Sequence, residues 1–345
     1  MATIIRGTDG YDRIVQGSRS FAEIYAYAGD DDIYLNRTDS NGGGNYVSAG
    51  DGDDYVLNYF EGGNDIYLGA GNDIYVADIR AGVSSEFDVV KGGTGNDRFE
   101  LDTEASDYYG ESGNDTFLTV GVDNYYNGGT GTDTISYALQ DDYPSQKGKG
   151  VTIDLGAGKA STTSGHSETL VSIENASGTG YGNDDITGSS ARNVLKGYGG
   201  ADILEGLGGD DDLDGGSGND DLYGGTGDDL LIGSTGSDYL NGGTGADTFD
   251  FNSINDSVSG SNRDVIADFH RSELDVIDLS TIDANELRGG NQAFTFIGGA
   301  SFHGTAGELR FGSGVVSGDT DGDGYSDFQI KVSGVTTMNS IDFFL

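Results

Sequence analysis

An all-β fold, a parallel β-roll (β-solenoid) laid down in blocks and closed by a C-terminal β-rich capping domain, is what the sequence predicts from three observations. A nine-residue unit recurs without interruption from residue 179 to residue 250. Glycine fills 62 of the 345 positions while proline occurs once, at Pro144, so the chain turns often without the three-residue period of collagen. The formal charge is −42, from 17 basic and 59 acidic residues, and many of the acids recur at a fixed spacing.

Residues 179–250 divide into TGYGNDDIT, GSSARNVLK, GYGGADILE, GLGGDDDLD, GGSGNDDLY, GGTGDDLLI, GSTGSDYLN and GGTGADTFD. Positions 1, 2 and 4 are mostly glycine. Position 6 is Asp184, Asp202, Asp211, Asp220, Asp229, Asp238 or Asp247, with Asn193 the exception. Position 8 is always apolar: Ile186, Leu195, Leu204, Leu213, Leu222, Leu231, Leu240 and Phe249. Each nonamer reads as a six-residue turn followed by a three-residue strand, with the position-8 side chain inward and its neighbours outward. One nonamer is half a coil. A lone repeat cannot bury its apolar residue, so the coils must stack.

Eighteen residues per coil put Asp184, Asp202, Asp220 and Asp238 on one edge and Asn193, Asp211, Asp229 and Asp247 on the other. Each edge becomes a column of carboxylates one strand spacing apart, about 4.8 Å. Bare carboxylates so close repel, and a hard cation between turns removes the conflict. A site of oxygens alone suits Ca2+, while the absence of cysteine and the presence of only three histidines argue against zinc or copper. An isolated Gly/Asp stretch could equally be an acidic linker; eight in phase with an apolar eighth position are not read that way.

The N-terminal part, 1–137, carries a degenerate roll. GGTGNDRFE (92–100), GESGNDTFL (110–118) and GGTGTDTIS (128–136) start eighteen apart and place Asp97, Asp115 and Asp133 on one edge. The nonamers between them keep Tyr108 and Tyr126 at position 8 but offer Ser106 and Asn124 at position 6. The expectation is metal on one edge and a dry or hydrogen-bonded edge opposite. Further upstream the phase is broken, and Asp31, Asp54, Asp65 and Asp73 are weaker ligand candidates. Tyrosines crowd this half, among them Tyr25, Tyr67, Tyr75 and Tyr125. They read first as strand residues, and otherwise as a sugar-stacking face.

Segment 138–178 reads as connector strands, 179–250 as the regular nonapeptide roll and 251–345 as the capping domain, since a solenoid needs a closed end. In the last, Asp319-x-Asp321-x-Asp323-Gly324 has the ligand spacing of a calcium loop. Its twelfth position is Ile330 rather than Glu, and it reads also as an ordinary acidic turn.

The nonamers resemble the RTX (repeats-in-toxin) calcium-binding family. That resemblance implies Ca2+ in multiple copies, held by the position-6 carboxylates and by backbone carbonyls that include positions 2 and 4. Carried onto this chain, the carbonyl set is Gly93, Gly95, Gly113, Gly131, Gly200, Gly209, Gly216, Gly218, Gly225, Gly227, Ser234, Gly236, Gly243 and Gly245, with the site at Asn193 in doubt. Residues 251–345 are similar to the C-terminal domain of serralysin-type metalloproteases, through DVIADFHRSELDVIDLSTID (264–283), GELRF (307–311), DTDGDGYSDFQIKV (319–332) and the final SIDFFL. This likeness implies a partner in the type I secretion apparatus, and a secreted, extracellular or cell-surface location.

No His-Glu-x-x-His is present; His166, His270 and His303 stand far apart, the last two read as packing or surface residues, and no cysteine or Gly-x-Ser-x-Gly elbow offers a nucleophile. The residues therefore do not point to an enzyme. The acidity opposes nucleic-acid binding, no stretch is long enough to span a membrane, and the N-terminus shows no cleavable signal peptide. A non-enzymatic calcium-binding protein for surface, matrix or host interaction is expected. An adhesin or lectin using the Tyr-rich half to hold extracellular polysaccharide, or an enzyme with an unrecognised site, stands as the alternative.

Overall fold

The computed structural model describes residues 3–345 except 18, 20, 36–43, 60–61, 79–86 and 122. Among these there is no α-helix, only strands and two short 3-10 turns, Ala138–Asp142 and Ser340–Asp342. The chain divides into two compact units, Met1–Ser177 and Gly178–Leu345.

In the second unit the strands Asp185–Ser189, Ile203–Gly208, Asp221–Thr226 and Tyr239–Thr244 pair in parallel, with Asp185 beside Ile203, Ile203 beside Asp221 and Asp221 beside Tyr239. Val194–Lys196, Asp212–Asp214, Leu230–Ile232 and Thr248–Asp250 form the opposite parallel sheet in the same eighteen-residue register. The expected β-roll is therefore present. The core is the inward row of position-8 side chains, Ile186 to Phe249, all essentially inaccessible.

The stack continues past the last nonamer. Val265–Ile266 pairs with Tyr239–Leu240, and Val276–Asp278 with Thr248–Asp250. Then Phe328–Val332 covers the edge of one sheet and Phe343–Phe344 the edge of the other. Phe328–Val332 belongs to an antiparallel meander with Glu308–Gly312 and Val315–Asp319. The long strands of the roll are thus covered at this end, and the edges that remain are the short ones of Phe343–Phe344 and Thr295–Phe296.

The first unit repeats the plan with larger core residues. Its coils run through the sheet of Thr3–Arg6, Ala22–Ala28, Tyr46–Asp51, Asp65–Ala70, Val89–Thr94, Asp107–Ser112 and Tyr125–Thr130. Phe99 stacks on Phe117 at 4.8 Å between ring centroids, and Tyr108 on Tyr126 at 5.7 Å. Buried tyrosine hydroxyls require partners. Tyr75 donates to Asp88 (3.2 Å), Tyr126 to Thr119 Oγ1 (2.8 Å), and Tyr137 to Glu168, while Tyr108 shares a 2.6 Å hydrogen bond with Thr103 Oγ1. A hairpin of Val151–Asp154 and Lys159–Thr162 leaves the roll, and Ser167–Val171 and Asn175–Ser177 rejoin it beside Tyr125–Asn127 and Thr134–Ser136.

Candidate metal centre

Turn position 6 is buried at every regular repeat, and its side chain joins successive coils. The amide of Asp184 donates to Asp202 Oδ1, Asp202 to Asp220 and Asp220 to Asp238, each at 2.8–2.9 Å. The other edge runs Asn193, Asp211, Asp229, Asp247 in the same manner, at 2.7–3.1 Å. One carboxylate oxygen thus closes the coil-to-coil ladder. The second is left over: Oδ2 of Asp202, Asp211, Asp220, Asp229, Asp238 and Asp247 is buried without a hydrogen-bond partner.

Glycine at position 1 holds the space for that oxygen. A Cβ on Gly224 would lie 2.4 Å from Asp229 Oδ2 and 2.6 Å from the carbonyl oxygen of Gly242 in the next coil. Carboxylate and carbonyl oxygens therefore crowd one small volume. The carbonyls at positions 2 and 4 point along the stack. A Cβ on Gly218 would fall 1.4 Å from the Gly200 carbonyl oxygen, and one on Gly243 would fall 2.1 Å from that of Gly225.

Burial without compensation raises the carboxyl pKa values from the ordinary 3.8. They reach about 6 for Asp97, Asp115, Asp202 and Asp229. They reach about 7 for Asp54, Asp133, Asp211, Asp220 and Asp247, and about 8 for Asp73 and Asp238. Loss of hydration is the largest cause, neighbouring carboxylates add to it in most cases, and the amide bonded to Oδ1 opposes it. A divalent cation supplies the missing partner. The available atoms are all oxygens, carboxylate and carbonyl, and fit Ca2+.

In the first unit one edge repeats the arrangement over a longer run. The amides of Asp12, Asp31, Asp54, Asp73, Asp97 and Asp115 donate to Oδ1 of Asp31, Asp54, Asp73, Asp97, Asp115 and Asp133 in turn, and Glu174 closes the row by accepting from Asp133. Oδ2 of each of Asp31, Asp54, Asp73, Asp97, Asp115 and Asp133 is orphaned. The opposite edge is made of Asn45, Asn64, Asp88, Ser106 and Asn124, each accepting from the residue before it in that order. Asp88 is satisfied there by Asn58, Asn64 and Tyr75. This is the expected hydrogen-bonded edge.

Several expected positions differ. Asp65 is exposed; its neighbour Asn64 holds the column position, because this strand is read one residue out of phase with the next. Asp184 has its second oxygen occupied by the Thr179 amide at 2.7 Å, with the Thr179 hydroxyl 3.3 Å away as a further donor. In the 319–327 loop, oxygens of Asp319, Asp321 and Asp327 lie within 4.8 Å of one another, and Asp323, expected with them, is outside this group and accepts the Tyr325 amide instead. Asp319 is buried and accepts the amides of Gly322 and Gly324.

Two column members had gone unread in the sequence. Asp264 accepts from Asp238 (2.8 Å) and Asp275 from Asp247 (3.2 Å); Asp264 Oδ2 is orphaned, whereas Asp275 Oδ2 accepts the His270 amide. The signal was the pair Asp264-Val265-Ile266 and Asp275-Val276-Ile277, which repeats the position 6–8 pattern. An outer ladder at position 5 was also missed. Its side chains accept from the following coil, through Asp30, Asp53, Asn72, Asn96, Asn114 and Thr132 in the first unit. In the second unit it is shorter, linking Asn183 with Ala201 and Asn219 with Ser237 on one edge and running through Asp210, Asp228 and Ala246 on the other.

A parallel β-solenoid whose turns align buried, half-satisfied carboxylates defines a calcium-binding repeat protein. Residues 84–117 match the RTX calcium-binding nonapeptide repeat (four copies), and RTX repeats bind Ca2+ in multiple copies. Residues 164–345, more than half of the chain, match the Peptidase M10 serralysin C-terminal family, and the chain belongs to that family. No curated protein gives a significant match.

Proposed function

We propose that this chain is a secreted, non-enzymatic calcium-binding protein that completes its fold on meeting Ca2+ outside the cell, for surface, matrix or host interaction. The observation that carries the reading is the row of buried, unpartnered Oδ2 atoms beside glycine carbonyls. The ligands would be the carboxylates of Asp97, Asp115, Asp133, Asp202, Asp211, Asp220, Asp229, Asp238 and Asp247, extended to Asp31, Asp54, Asp73 and Asp264, with carbonyls of turn positions 2 and 4. When bound, the cation supplies positive charge between like-charged turns; the residues themselves hold the coils in register through Oδ1.

Cytosolic calcium would leave the columns uncompensated and the chain open, a form suited to export through a type I apparatus. The family of the C-terminal region supports that route, since serralysin C-terminal and RTX domains are typical of proteins secreted in this way. Both matched regions are non-catalytic parts of the proteins that carry them, and the sequence holds no His-Glu-x-x-His. Among the described residues no helix is long and apolar enough to cross a membrane. The Asp319, Asp321 and Asp327 loop would be a separate, more exposed calcium position.

Calorimetric calcium titration, followed in parallel by far-UV circular dichroism, tests this reading. Multiple sites whose filling coincides with a gain of β signal are expected. An unchanged spectrum and melting point in excess EGTA would overturn it.

A further inference from the structure

The outward face of the first unit carries an aromatic strip that the calcium columns do not use. Tyr25 packs on Tyr46 at 5.6 Å between ring centroids, and Tyr46 on Tyr67 at 5.5 Å. The Lys91 ammonium lies 5.4 Å from the Tyr67 ring centre and 5.9 Å from that of Tyr109, and Tyr109 packs on Tyr125 at 5.6 Å. All six side chains project from one sheet. Tyr25, Tyr67, Lys91 and Tyr109 share one outward row, while Tyr46 and Tyr125 stand in the row beside it. Tyr67 is exposed and the others are half-exposed.

Strand preference alone does not account for this placement. The same outward positions of the second unit hold Asp185, Thr187, Ile203, Glu205 and Asp221, and only Tyr223 and Tyr239 pair there, at 5.7 Å. The coils advance by about 4.8 Å, close to the advance of one sugar along an extended β-linked chain. Tyr25, Tyr67 and Tyr109 recur in one row on alternate coils, a spacing that matches every second sugar, and each ring offers a face for stacking on a sugar's C–H face. Glu23, Asp65, Asp107 and Glu111 flank the strip, so hydroxyl-rich neutral chains find hydrogen-bond acceptors while polyanions are repelled.

We infer that the Tyr25–Tyr125 strip is a docking surface for a neutral, extended β-linked polysaccharide. The inference rests on the secreted reading above for where such a polymer is met. It adds the class of partner and the residues that hold it.

The test uses the full chain in saturating calcium with cellohexaose and xylohexaose, by calorimetry and by retardation in polysaccharide-containing native gels. Wild type should bind at least one of them. Tyr67→Ala and Tyr109→Ala should each weaken binding roughly three- to ten-fold, and Tyr67→Phe should retain it. Tyr223→Ala, on the second unit, should leave it unchanged. Circular dichroism in calcium accompanies each variant, and only variants with the wild-type spectrum are compared; Lys91→Met, expected to weaken binding, serves should an alanine variant fail to fold. Folded wild type that binds neither oligosaccharide overturns the inference and leaves the calcium reading standing. Binding that persists with full structure in EGTA supports the strip and overturns the calcium reading instead. Capture of polylysine alone, reversed by salt, would show a general acidic surface and overturn the strip.

Discussion

The amide of Asp238 donates to Oδ1 of Asp264 at 2.8 Å, the same bond that joins Asp220 to Asp238, although it spans 26 residues instead of 18. The column therefore passes from the regular repeats into the region that closes the roll. Beyond Asp264 the ladder ends on a hydroxyl, because Asp264 donates its amide to Ser257 Oγ.

Asp264→Asn keeps an acceptor for the Asp238 amide and removes the charge. One calcium site should be lost, and at about ten times Kd that removes ~1.4 kcal/mol of calcium-linked stability. In EGTA the variant should be at least as stable as wild type, because an uncompensated buried carboxylate has gone. Asp264→Ala should cost a further ~1–3 kcal/mol in both conditions by stranding the amide. Thermal melts with and without calcium separate the two, and equal melts for all three proteins would remove Asp264 from the column's energetics.

The column carboxyls titrate far above their unfolded value of 3.8, at about 7 for Asp220 and about 8 for Asp238. A raised folded pKa means the fold prefers the protonated form. Without calcium, that contribution is complete below the unfolded pKa and disappears as pH rises through about 6 to 8. Chelated protein should thus hold its β signal at pH about 5 and lose it by pH about 8. Calcium binds the ionised form, so its apparent affinity should rise over the same interval. A chelated protein that becomes more stable between these pH values would contradict the assignment.

Gly218 has φ +152°, and a Cβ there would collide with the Gly200 carbonyl. Gly218→Ala should lower stability by about 3 kcal/mol or more, and calcium should restore little, since the coils cannot close to their spacing. Gly289, with nothing within 4 Å of its Cβ position, is the control, and its alanine variant should melt with wild type.

Leu222 is fully buried between Leu204 and Leu240 in the inward row. Leu222→Ala should cost about 2–5 kcal/mol, without changing the number of calcium ions bound at saturation. Calorimetric stoichiometry beside a denaturant melt checks both halves of the expectation.

The pentapeptide Gly-Asn-Asp-Ile-Tyr occurs twice, at 63–67 and 71–75, and shows how far the sequence could be read. In the first copy Asn64 and Ile66 point inward and Asp65 is exposed; in the second Asp73 and Tyr75 are buried and Ile74 is exposed. A slip of one residue exchanges the two faces of a strand. Nothing local distinguishes the copies. Their phase is set by where each half-coil begins, and the upstream coils differ in length: column neighbours are 19, 23, 19 and 24 residues apart before the eighteen-residue rhythm starts. Where the period is strict, from Asp202 to Asp247, both edges and the inward row were legible. Asp264 and Asp275 were hidden because 251–263 breaks the count, and the position-5 ladder because exposed Asn and Asp look like ordinary turn residues.

That outer ladder also sets where the stack can part. In the first unit the chain of acceptors runs unbroken from Asp30 to Thr132, so successive turns along that stretch of the edge are laced together. In the second, the Ala201 amide donates to Asn183 Oδ1, and its own methyl side chain offers no acceptor to the Asn219 amide. A seam in the outer ladder lies between those two half-coils, bridged on this edge by the bond from the Asp202 amide to Asp220 Oδ1 and by backbone bonds such as that from the Gly200 amide to the Ser217 carbonyl. Fraying on that edge should start at the seam, while the opposite edge, laced through Asp210, Asp228 and Ala246, holds the same coils together.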